Sequence, residues 1–478
     1  MGRLLSALMT LMVYGADGLV QENPKTNVSE CDDEDPGSPL FLTEYIESGK
    51  IEEGKCLARV PLTENLRVES YAGYLTVNKT YNSNHFFWYF PPLVADRTNA
   101  PIVVWLQGGP GATCFYGLFM ENSPIRVFPD GSFVSRKLNW ALHHHMIYID
   151  SPVGTGYSFT NATEGYCNDQ TQIGEELYST LTQFFQLFPD LKENKIFVAG
   201  QSYGGKFAPA LAYTIHKKNP TAELKMNLKG IAIGNGFTDP VNQLEYGKYL
   251  YQLGLIDWNQ AKVFEEYEEK TKIYIQEEKW EEALTTYDTL VNGNLINGQS
   301  LFVKMTGYTL PFNVLHADNY NEELDFRPIL GKSCFCRDIH VGNQPYNDGS
   351  LVKKYLRNEM MQSVAPWVSE LLEHYQVLIY NGQLDIKVPY PLVTNYLRHL
   401  KFSAAEEYKT ASRDVWKVDN KVAGYIKKAG NLVEVLVRDA GHMVPTDQPK
   451  WALDLITRFT YEKPFDGSIN NLLNETEF

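Results

Sequence analysis

The sequence predicts an α/β fold in which a mostly parallel central sheet is flanked by helices. Short apolar runs typical of buried strands recur along the chain, several of them end at glycine-rich turns, and apolar residues at helical spacing follow. With 478 residues, the chain is long enough for one large domain with an insertion. Its 44% hydrophobic and 21% charged residues are ordinary for a globular protein.

The first predicted strand is the apolar run 101–106, which ends at the glycine-rich segment Gln107-Gly108-Gly109-Pro110-Gly111. Because glycine has no Cβ, backbone N–H groups in such a segment can approach a ligand closely. A phosphate-binding loop is the alternative, but the segment has neither the Gly-x-Gly-x-x-Gly pattern nor the lysine of a P-loop. We therefore interpret the N–H of Gly109 as a donor to a reacting carbonyl oxygen.

The second predicted strand, 195–199, ends at Gly200-Gln201-Ser202-Tyr203-Gly204, and a predicted helix follows over 205–215. Gly-x-Ser-x-Gly between a strand and a helix is the pattern of a nucleophile elbow, a tight turn that exposes the serine hydroxyl. An ordinary glycine-rich turn with an inert serine is the alternative. We predict that Ser202 is the nucleophile of a serine hydrolase and that the N–H of Tyr203 is the second oxyanion donor.

Two aspartates follow the next predicted strands and compete for the role of the acid. Asp239 comes after the strand 230–236, and Asp385 comes after the strand 376–381. In the usual topology of a fold with this elbow, the acid lies two strands past the nucleophile, which selects Asp385. Asp239 precedes Pro240 and is better interpreted as a turn residue.

The base is expected near the C-terminus, where the candidates are His399 and His442. His442 follows the predicted strand 432–437 and a glycine turn, which is a suitable place for a catalytic base at the edge of a parallel sheet. His399 lies in a polar, helix-like segment and is interpreted as a solvated residue. We therefore predict that His442 accepts the proton of Ser202 and that Asp385 orients the imidazole.

The alternation of strands and helices is interrupted between about residues 240 and 330. Two stretches there, Trp258–Gln276 and Trp280–Val291, are rich in Glu and Lys and have helical character. We interpret this region as an insertion that covers the active site, the alternative being a solvated helical excursion without substrate contact. The expected segments are a signal peptide (1–18), an N-terminal segment (19–60), the first part of the core (61–238), a largely helical cap (239–330) and the second part of the core (331–478).

Taken together, these segments resemble the serine carboxypeptidases of the α/β-hydrolase fold, and specifically their vitellogenic carboxypeptidase-like branch. The resemblance extends over nearly the whole chain after the leader. It is carried by five blocks in the family's order, which are 105–111, 150–158, 200–206, 381–385 and 440–445. The resemblance implies an exopeptidase that removes one residue at a time from a free C-terminus, at acidic pH, through a Ser-His-Asp triad and an acyl-enzyme.

The resemblance also implies a site that recognises the substrate's C-terminal carboxylate with hydrogen-bond donors instead of a metal. Mapped by motif, this site is formed by Gln107, Gly108, Glu121 and Gln201. Gln107 replaces the commoner Asn, and Gln201 replaces the commoner Glu. Two adjacent carboxyl groups can face a substrate carboxylate only when they hold protons, whereas an amide donates at any pH. We therefore expect a broader pH profile than that of a relative with two carboxyl groups, although Glu121 can still titrate.

The sequence is also compatible with two other functions. Plant relatives of the family transfer acyl groups from sugar esters, so an acyltransferase using the same triad is one alternative. A catalytically idle binding scaffold is the other, and the intact Ser202, Asp385 and His442 argue against it.

Charge and composition limit the partners. The formal net charge of −15 argues against nucleic-acid binding. The resemblance implies that the substrates are peptides or proteins with a free C-terminus. We expect no cofactor and no metal. His143, His144 and His145 are consecutive in a strand-like stretch, so their side chains would converge poorly on one ion.

The N-terminus indicates export. Arg3 followed by an apolar run to Val13 and small residues is typical of a signal peptide, and no other apolar run is long enough for a membrane span. Six cysteines suit an oxidising compartment, although they allow about 15 pairings among which the sequence does not choose. We expect a secreted or lysosomal/vesicular protein with candidate N-glycosylation sites at Asn27, Asn78, Asn161 and Asn474.

Overall fold

The computed structural model describes residues 25–27, 35–94, 97–293, 295, 298–318 and 325–465 of the chain. In these ranges the strands are, in chain order, β1 (Lys25–Asn27), β2 (Tyr71–Asn78), β3 (Ser83–Phe90), β4 (Ile102–Leu106), β5 (Ile125–Val127), β6 (Ser132–Ser135), β7 (His145–Ile149), β8 (Thr155–Gly156), β9 (Ile196–Gln201), β10 (Leu228–Gly234), β11 (Asn347–Asp348), β12 (Gln376–Gly382), β13 (Arg413–Val418), β14 (Lys421–Ala429) and β15 (Leu432–Val437).

The α-helices of the same ranges are α1 (Leu42–Glu47), α2 (Ile51–Leu57), α3 (Pro61–Glu64), α4 (Gln170–Leu187), α5 (Gly204–Lys218), α6 (Tyr246–Gln252), α7 (Trp258–Gln276), α8 (Trp280–Val291), α9 (Leu301–Thr306), α10 (Ser333–Asp338), α11 (Ser350–Tyr355), α12 (Ala365–Leu372), α13 (Tyr390–His399), α14 (Ala405–Thr410), α15 (Val444–Asp447) and α16 (Pro449–Thr460). A π-helix spans Tyr116–Asn122.

A ten-stranded sheet organises the molecule, with the strand order β13-β14-β15-β12-β10-β9-β4-β7-β3-β2. The six neighbouring strands from β15 to β7 run parallel, and the strands on both flanks are antiparallel. This arrangement confirms the predicted α/β class with a mostly parallel sheet. Parallel neighbours have their carboxyl ends at the same edge, so the loops that follow them come together there.

Each face of the sheet has its own apolar core. In β4, Val104 and Leu106 belong to one buried cluster, whereas Val103 and Trp105 belong to the other. Helices α4 and α5 cover the first face, and α16 covers the second. A strand that is buried on both faces is a continuous apolar run, which explains why the central strands are visible in the sequence.

Between β10 and β12 the chain leaves the sheet and forms helices α6 to α12. Helices α7 and α8 have the bounds that the sequence predicts. Helix α7 begins at Trp258 because Asp257 accepts a hydrogen bond from the backbone N–H of Gln260, whose side chain accepts one from the N–H of Asp257, both at 2.8 Å.

No helix within the described ranges combines the length and the apolar character that crossing a membrane requires. The predicted signal peptide at 1–18 lies outside these ranges.

Candidate active site

The predicted catalytic residues lie at one edge of the sheet. Ser202 follows β9, Asp385 follows β12 and His442 follows β15, and these three strands run parallel in the same sheet. The glycine-rich segment that contains Gly109 follows β4, the neighbour of β9 on its other side. The order of the strands therefore brings together residues that are up to 333 positions apart in the chain.

The turn at Ser202 has the geometry of a nucleophile elbow. The φ angle of Ser202 is +58°, in the left-handed region that costs a non-glycine residue about 1–3 kcal/mol. A Cβ on Gly200 would lie 2.1 Å from the carbonyl oxygen of Gly204, and a Cβ on Gly204 would lie 2.4 Å from that of Leu106. Only glycine fits at both positions, which is the physical reason for the Gly-x-Ser-x-Gly pattern.

His442 and Asp385 form a buried pair. The Nδ1 atom of His442 lies 2.8 Å from Oδ2 of Asp385, whose side chain is fully buried. The same Oδ2 accepts a hydrogen bond from Nδ2 of Asn235 at 2.6 Å, and Oδ1 accepts one from the N–H of Lys387 at 2.7 Å. On its other side, the imidazole stacks on the ring of Phe312, with 5.3 Å between centroids and 9° between planes. These contacts hold the ring in one orientation.

Asp239, the competing aspartate, lies elsewhere in the hydrogen-bond network. Its N–H donates to Oε1 of Gln243 at 2.9 Å, and its Oδ2 accepts from Nδ2 of Asn242 at 2.6 Å. Both contacts are local to the turn at Pro240. The described hydrogen bonds of the His442 side chain thus involve Asp385 and not Asp239.

Ser202 lies where two cavities meet. The first, which we call the His442 cavity, has a volume of about 460 Å³ and is lined by Gln107, Gly108, Gln201 and His442 among others. The second, which we call the Lys353 cavity, has a volume of about 360 Å³ and extends towards α8 and α11. Gly109, Ser202 and Lys387 line both cavities. A substrate bound across Ser202 would therefore extend into a cavity on each side.

Gln107, Glu121 and Gln201 form a buried polar cluster beside the His442 cavity. Nε2 of Gln107 donates to Oε1 of Glu121 at 3.4 Å and also to Oε1 of Gln201. Nε2 of Gln201 donates to Oε2 of Glu121 at 2.9 Å and to the carbonyl oxygen of His442 at 3.0 Å. Oε1 of Gln107 is itself fixed by Trp105 Nε1 at 2.8 Å. Every amide hydrogen of the two glutamines thus has an acceptor in this arrangement.

Burial dominates the electrostatics of Glu121. Desolvation raises the pKa of its carboxyl group to about 8, against the opposing effects of the amide of Gln107, the nearby charge of Arg136 and the amide of Gln201. At acidic and neutral pH this carboxyl group therefore holds a proton.

Three backbone N–H groups next to Ser202 have no acceptor among the described residues: those of Gly108, Gly109 and Tyr203. The backbones approach closely here, since a Cβ on Gly108 would lie 2.6 Å from both the carbonyl oxygen of Gln201 and the nitrogen of Tyr203. Unpaired N–H groups beside a nucleophile are suited to binding a developing negative charge.

Comparison with known proteins identifies the family. Residues 61–462 match the family model described as serine carboxypeptidase. The chain belongs to the serine carboxypeptidase family. It is 52% identical over 435 residues to the venom serine carboxypeptidase of Apis mellifera, a match that covers 91% of this chain and 93% of that protein. The predicted resemblance is confirmed.

Two further relatives support this assignment. The human probable serine carboxypeptidase CPVL is 44% identical over 470 residues, 98% of each chain. The vitellogenic carboxypeptidase of Aedes aegypti is 46% identical over 433 residues, 89% of this chain and 90% of that protein. Similarity of this extent makes the chain a serine-type carboxypeptidase that hydrolyses the C-terminal bond of peptides.

A solved structure supports the fold. Kex1(delta)p, a prohormone-processing carboxypeptidase from Saccharomyces cerevisiae, superposes with a TM-score of 0.67 at 21% identity and covers 83% of this chain and 92% of its own. At this level of identity the match supports the assignment of the α/β-hydrolase fold and nothing further.

Several groups around the site of this carboxypeptidase were not indicated by the sequence. Asn235 was part of a predicted strand end, but nothing in the pattern pointed to its contact with Asp385. Phe312 lies in the irregular region between α9 and α10, where no periodic signal exists. Glu359 is buried and accepts hydrogen bonds from the hydroxyl of Tyr203 and, at 3.0 Å, from Nζ of Lys206, although 153 residues separate it from Lys206.

The three consecutive histidines lie away from the site. Only His145 is in a strand, β7, and its Nδ1 is 2.7 Å from the hydroxyl of Tyr89. His144 contacts the carbonyl oxygen of Trp140 at 2.8 Å, and burial lowers its pKa to about 3. Over the described ranges, no three His, Cys, Asp or Glu side chains are grouped so that they could hold a metal ion.

The described ranges include some of the predicted N-glycosylation sites and five of the six cysteines. Asn161 is exposed, and Oδ1 of Asn78 accepts a hydrogen bond from the N–H of Thr80 at 3.0 Å. The sequon at Asn27 is only partly inside the described ranges, and Asn474 lies outside them. Cys334 is disulfide-bonded. The free thiols in the described part of the chain belong to Cys56, Cys114, Cys167 and Cys336.

Proposed function

We propose that Ser202, His442 and Asp385 carry out the carboxypeptidase reaction as a catalytic triad. Oγ of Ser202 attacks the carbonyl carbon of the last peptide bond while Nε2 of His442 takes its proton. His442 then gives this proton to the leaving amino acid as the peptide bond breaks, and water repeats the sequence on the acyl-enzyme. The observation that carries the proposal is the buried contact between Nδ1 of His442 and Asp385, which leaves Nε2 without a described hydrogen bond, while His442 and Ser202 line the same cavity.

The oxyanion of the tetrahedral intermediate is proposed to bind the backbone N–H groups of Gly109 and Tyr203. Their lack of an acceptor among the described residues supports this role. In other hydrolases one such donor is worth about 3–4 kcal/mol of transition-state stabilisation. The contact between the Tyr203 hydroxyl and Glu359 anchors the side chain of this donor.

The C-terminal carboxylate of the substrate is proposed to bind in the His442 cavity, at Gln107, Gly108 and Gln201, with Glu121 controlling the cluster. Ionised Glu121 attracts the amide hydrogens of both glutamines and would repel a second carboxylate. Protonated Glu121 can instead donate to a glutamine oxygen, which frees amide hydrogens for the substrate beside the N–H of Gly108. Because burial raises the pKa of Glu121 to about 8, the binding form is populated throughout the acidic and neutral range.

We also propose that residues 239–330 act as a cap over the site. The side chains of Leu284 and Tyr287 on α8 line the Lys353 cavity, which supports a role in substrate binding. The bounds of the other expected segments, 1–18, 19–60, 61–238 and 331–478, remain predictions. The leader and sequons, together with the word venom in the name of one relative, support a route through the secretory pathway to a secreted or lysosomal/vesicular destination.

The experiment that tests this function combines peptide digestion with active-site labelling. The protein is incubated with a library of peptides that carry free or amidated C-termini, and the products are identified by mass spectrometry. We expect stepwise loss of single C-terminal residues from the free peptides only, and labelling of Ser202 by a fluorophosphonate. Cleavage of both sets at equal rates would refute carboxylate recognition, and labelling of another residue would refute the proposed nucleophile.

A further inference from the structure

The two cavities beside Ser202 differ in charge. The Lys353 cavity is lined by four basic side chains, Lys353, Lys354, Arg357 and Lys387, and by two acidic ones, Asp288 and Asp348. This excess of positive charge occurs in a protein whose formal net charge is −15. A local reversal of sign in a cleft is typical of a site that attracts a charged ligand.

The acidic groups of this cavity are occupied by neighbouring donors. Oδ2 of Asp288 accepts a hydrogen bond from the N–H of Leu295 at 2.7 Å, and Oδ1 of Asp348 accepts one from the N–H of Ser350 at 2.9 Å. Neither Lys353 nor Lys354 forms an ion pair with a described residue within 4 Å, although the charge of Lys353 acts on Asp348 from a longer distance. These two ammonium groups are therefore available to a ligand.

The remaining basic groups of the cavity, Arg357 and Lys387, have acidic neighbours, so the excess of positive charge depends on Lys353 and Lys354. Arg357 forms an ion pair with Glu281 at 3.2 Å. Nζ of Lys387 donates to Oδ1 of Asn292, and the nearby carboxylates of Asp288 and Asp385 also act on its charge. Lys387 lines both cavities and is half-buried.

The inner wall of the cavity is mostly apolar and also contains the buried Asp288, whereas the exposed lysines lie further out. Phe237, Leu284 and Val388 are buried and form its inner wall, whereas Lys353 and Lys354 are exposed and therefore lie at its mouth. An extended peptide advances about 3.3 Å per residue, so its successive side chains sample first the inner wall and then the mouth.

The direction of the substrate follows from the proposed function, on which this inference rests. If the C-terminal carboxylate binds in the His442 cavity, the acyl part of the peptide must occupy the Lys353 cavity. The residue whose carbonyl is attacked then places its side chain at the inner wall, and the preceding residues pass Lys353 and Lys354.

We propose that the Lys353 cavity selects peptides that carry an aspartate or glutamate one or two residues before the residue whose carbonyl is attacked. Lys353 and Lys354 are the specificity-determining residues, and they bind the acidic side chain by charge attraction at the mouth. An apolar side chain occupies the inner wall. The enzyme thus prefers acidic-apolar sequences upstream of the bond that it cuts.

The test compares three blocked tripeptides, acetyl-Glu-Phe-Leu, acetyl-Gln-Phe-Leu and acetyl-Lys-Phe-Leu, by the rate of leucine release at pH 6. For the wild type we expect kcat/KM for the Glu peptide to exceed that for the isosteric Gln peptide by about five- to tenfold, as for two partly exposed ion pairs. The Lys peptide should be the poorest substrate. The Glu/Gln ratio should fall towards 1 in 0.5 M salt because exposed charges are screened.

Variants assign the preference to the two lysines. In the double variant Lys353→Gln/Lys354→Gln, the Glu/Gln ratio should fall to about 1–2, and Lys353→Glu/Lys354→Glu should invert it so that the Lys peptide is preferred. Lys217→Gln/Lys218→Gln is the matched control. It removes the same charge from the end of α5, where these lysines pair with Glu370 and Glu175 and line neither cavity, so the wild-type ratio should persist.

The results of these assays distinguish a failure of this inference from a failure of the proposed function. A wild-type Glu/Gln ratio near 1, with leucine released from both peptides, overturns this inference and leaves the proposed function intact. A high ratio that survives both substitutions of Lys353 and Lys354 also overturns it. If leucine is released from none of the peptides, the proposed function fails and this inference falls with it.

Discussion

The protonation of Glu121 gives the sharpest prediction. The carboxyl group is buried against Gln107 and Gln201, and burial raises its pKa to about 8. With that pKa, about 1% of the group is ionised at pH 6, about half at pH 8 and about 90% at pH 9. If only the protonated form accepts the substrate carboxylate, KM should increase about tenfold between pH 7 and pH 9, equivalent to about 1.4 kcal/mol.

The substitution Glu121→Gln removes this titration and keeps the shape of the side chain. We expect the rise in KM above pH 7 to disappear, because an amide is neutral at every pH. The assay is the release of leucine from a blocked dipeptide at a series of pH values, with kcat and KM determined separately. If KM of Glu121→Gln still increases tenfold between pH 7 and pH 9, the increase in the wild type cannot be assigned to Glu121.

A matched control is available in Glu268 on α7. This glutamate is also buried, burial raises its pKa to about 7, and it accepts a hydrogen bond from the N–H of Gly247 at 2.8 Å. It lines neither of the two cavities beside Ser202. Glu268→Gln should therefore leave the pH dependence of KM unchanged.

The raised pKa of Glu121 also predicts how the stability of the folded protein depends on pH. The pKa of Glu121 is higher in the folded than in the unfolded chain, so the folded state holds the proton more tightly. Its stabilising effect is fully present below the ordinary glutamate pKa of 4.5 and is lost as the pH rises through about 8. At pH 9 the Glu121→Gln variant should therefore have a higher Tm than the wild type, and at pH 5 it should not.

Three further predictions concern the elbow and its surroundings. Ser202→Ala should lower kcat at least about 10⁴-fold while Tm stays within a few degrees, and residual turnover above that level would exclude Ser202 as the nucleophile. Gln201→Glu places a second carboxyl group 2.9 Å from Glu121, so the rise in KM should begin at lower pH than in the wild type; superimposable pH profiles would contradict this. Gly205→Ala should lower the free energy of unfolding, measured by urea denaturation, by about 1–3 kcal/mol, because its Cβ would lie 2.9 Å from Cα of Gly236. A variant that is more stable than the wild type would show that helix propensity outweighs this contact.

The contacts of Gly205 also show what local sequence reasoning leaves out. The sequence pattern predicts only a small loss of helix propensity from a glycine at this position. In the folded chain Gly205 packs against the residues that follow β10, and Oγ1 of Thr238 donates to its carbonyl oxygen at 3.0 Å. The close approach between two segments of the chain, and not the helix itself, is what favours glycine there.

The sequence alone determined the parts of this protein that depend on neighbouring residues. The elbow at Ser202 is visible because Gly200 and Gly204 are required by contacts within the turn and with the adjoining strand end. The central strands are visible because burial on both faces makes each of them apolar throughout. Helices α7 and α8 are visible from their own helical character, and α7 also has a capping box at its start.

Only the tertiary structure decided which side chains meet. The contacts of Asp385 with Asn235, of His442 with Phe312, and of Gln107 with Gln201 join positions that are separated by about 90 to 150 residues. The order of the parallel strands and the path of the chain between β10 and β12 bring these positions together, and neither leaves a periodic signal in the sequence. The same is true of the positive mouth of the Lys353 cavity, because a field depends on which charges are close in space and not on which are close in the chain.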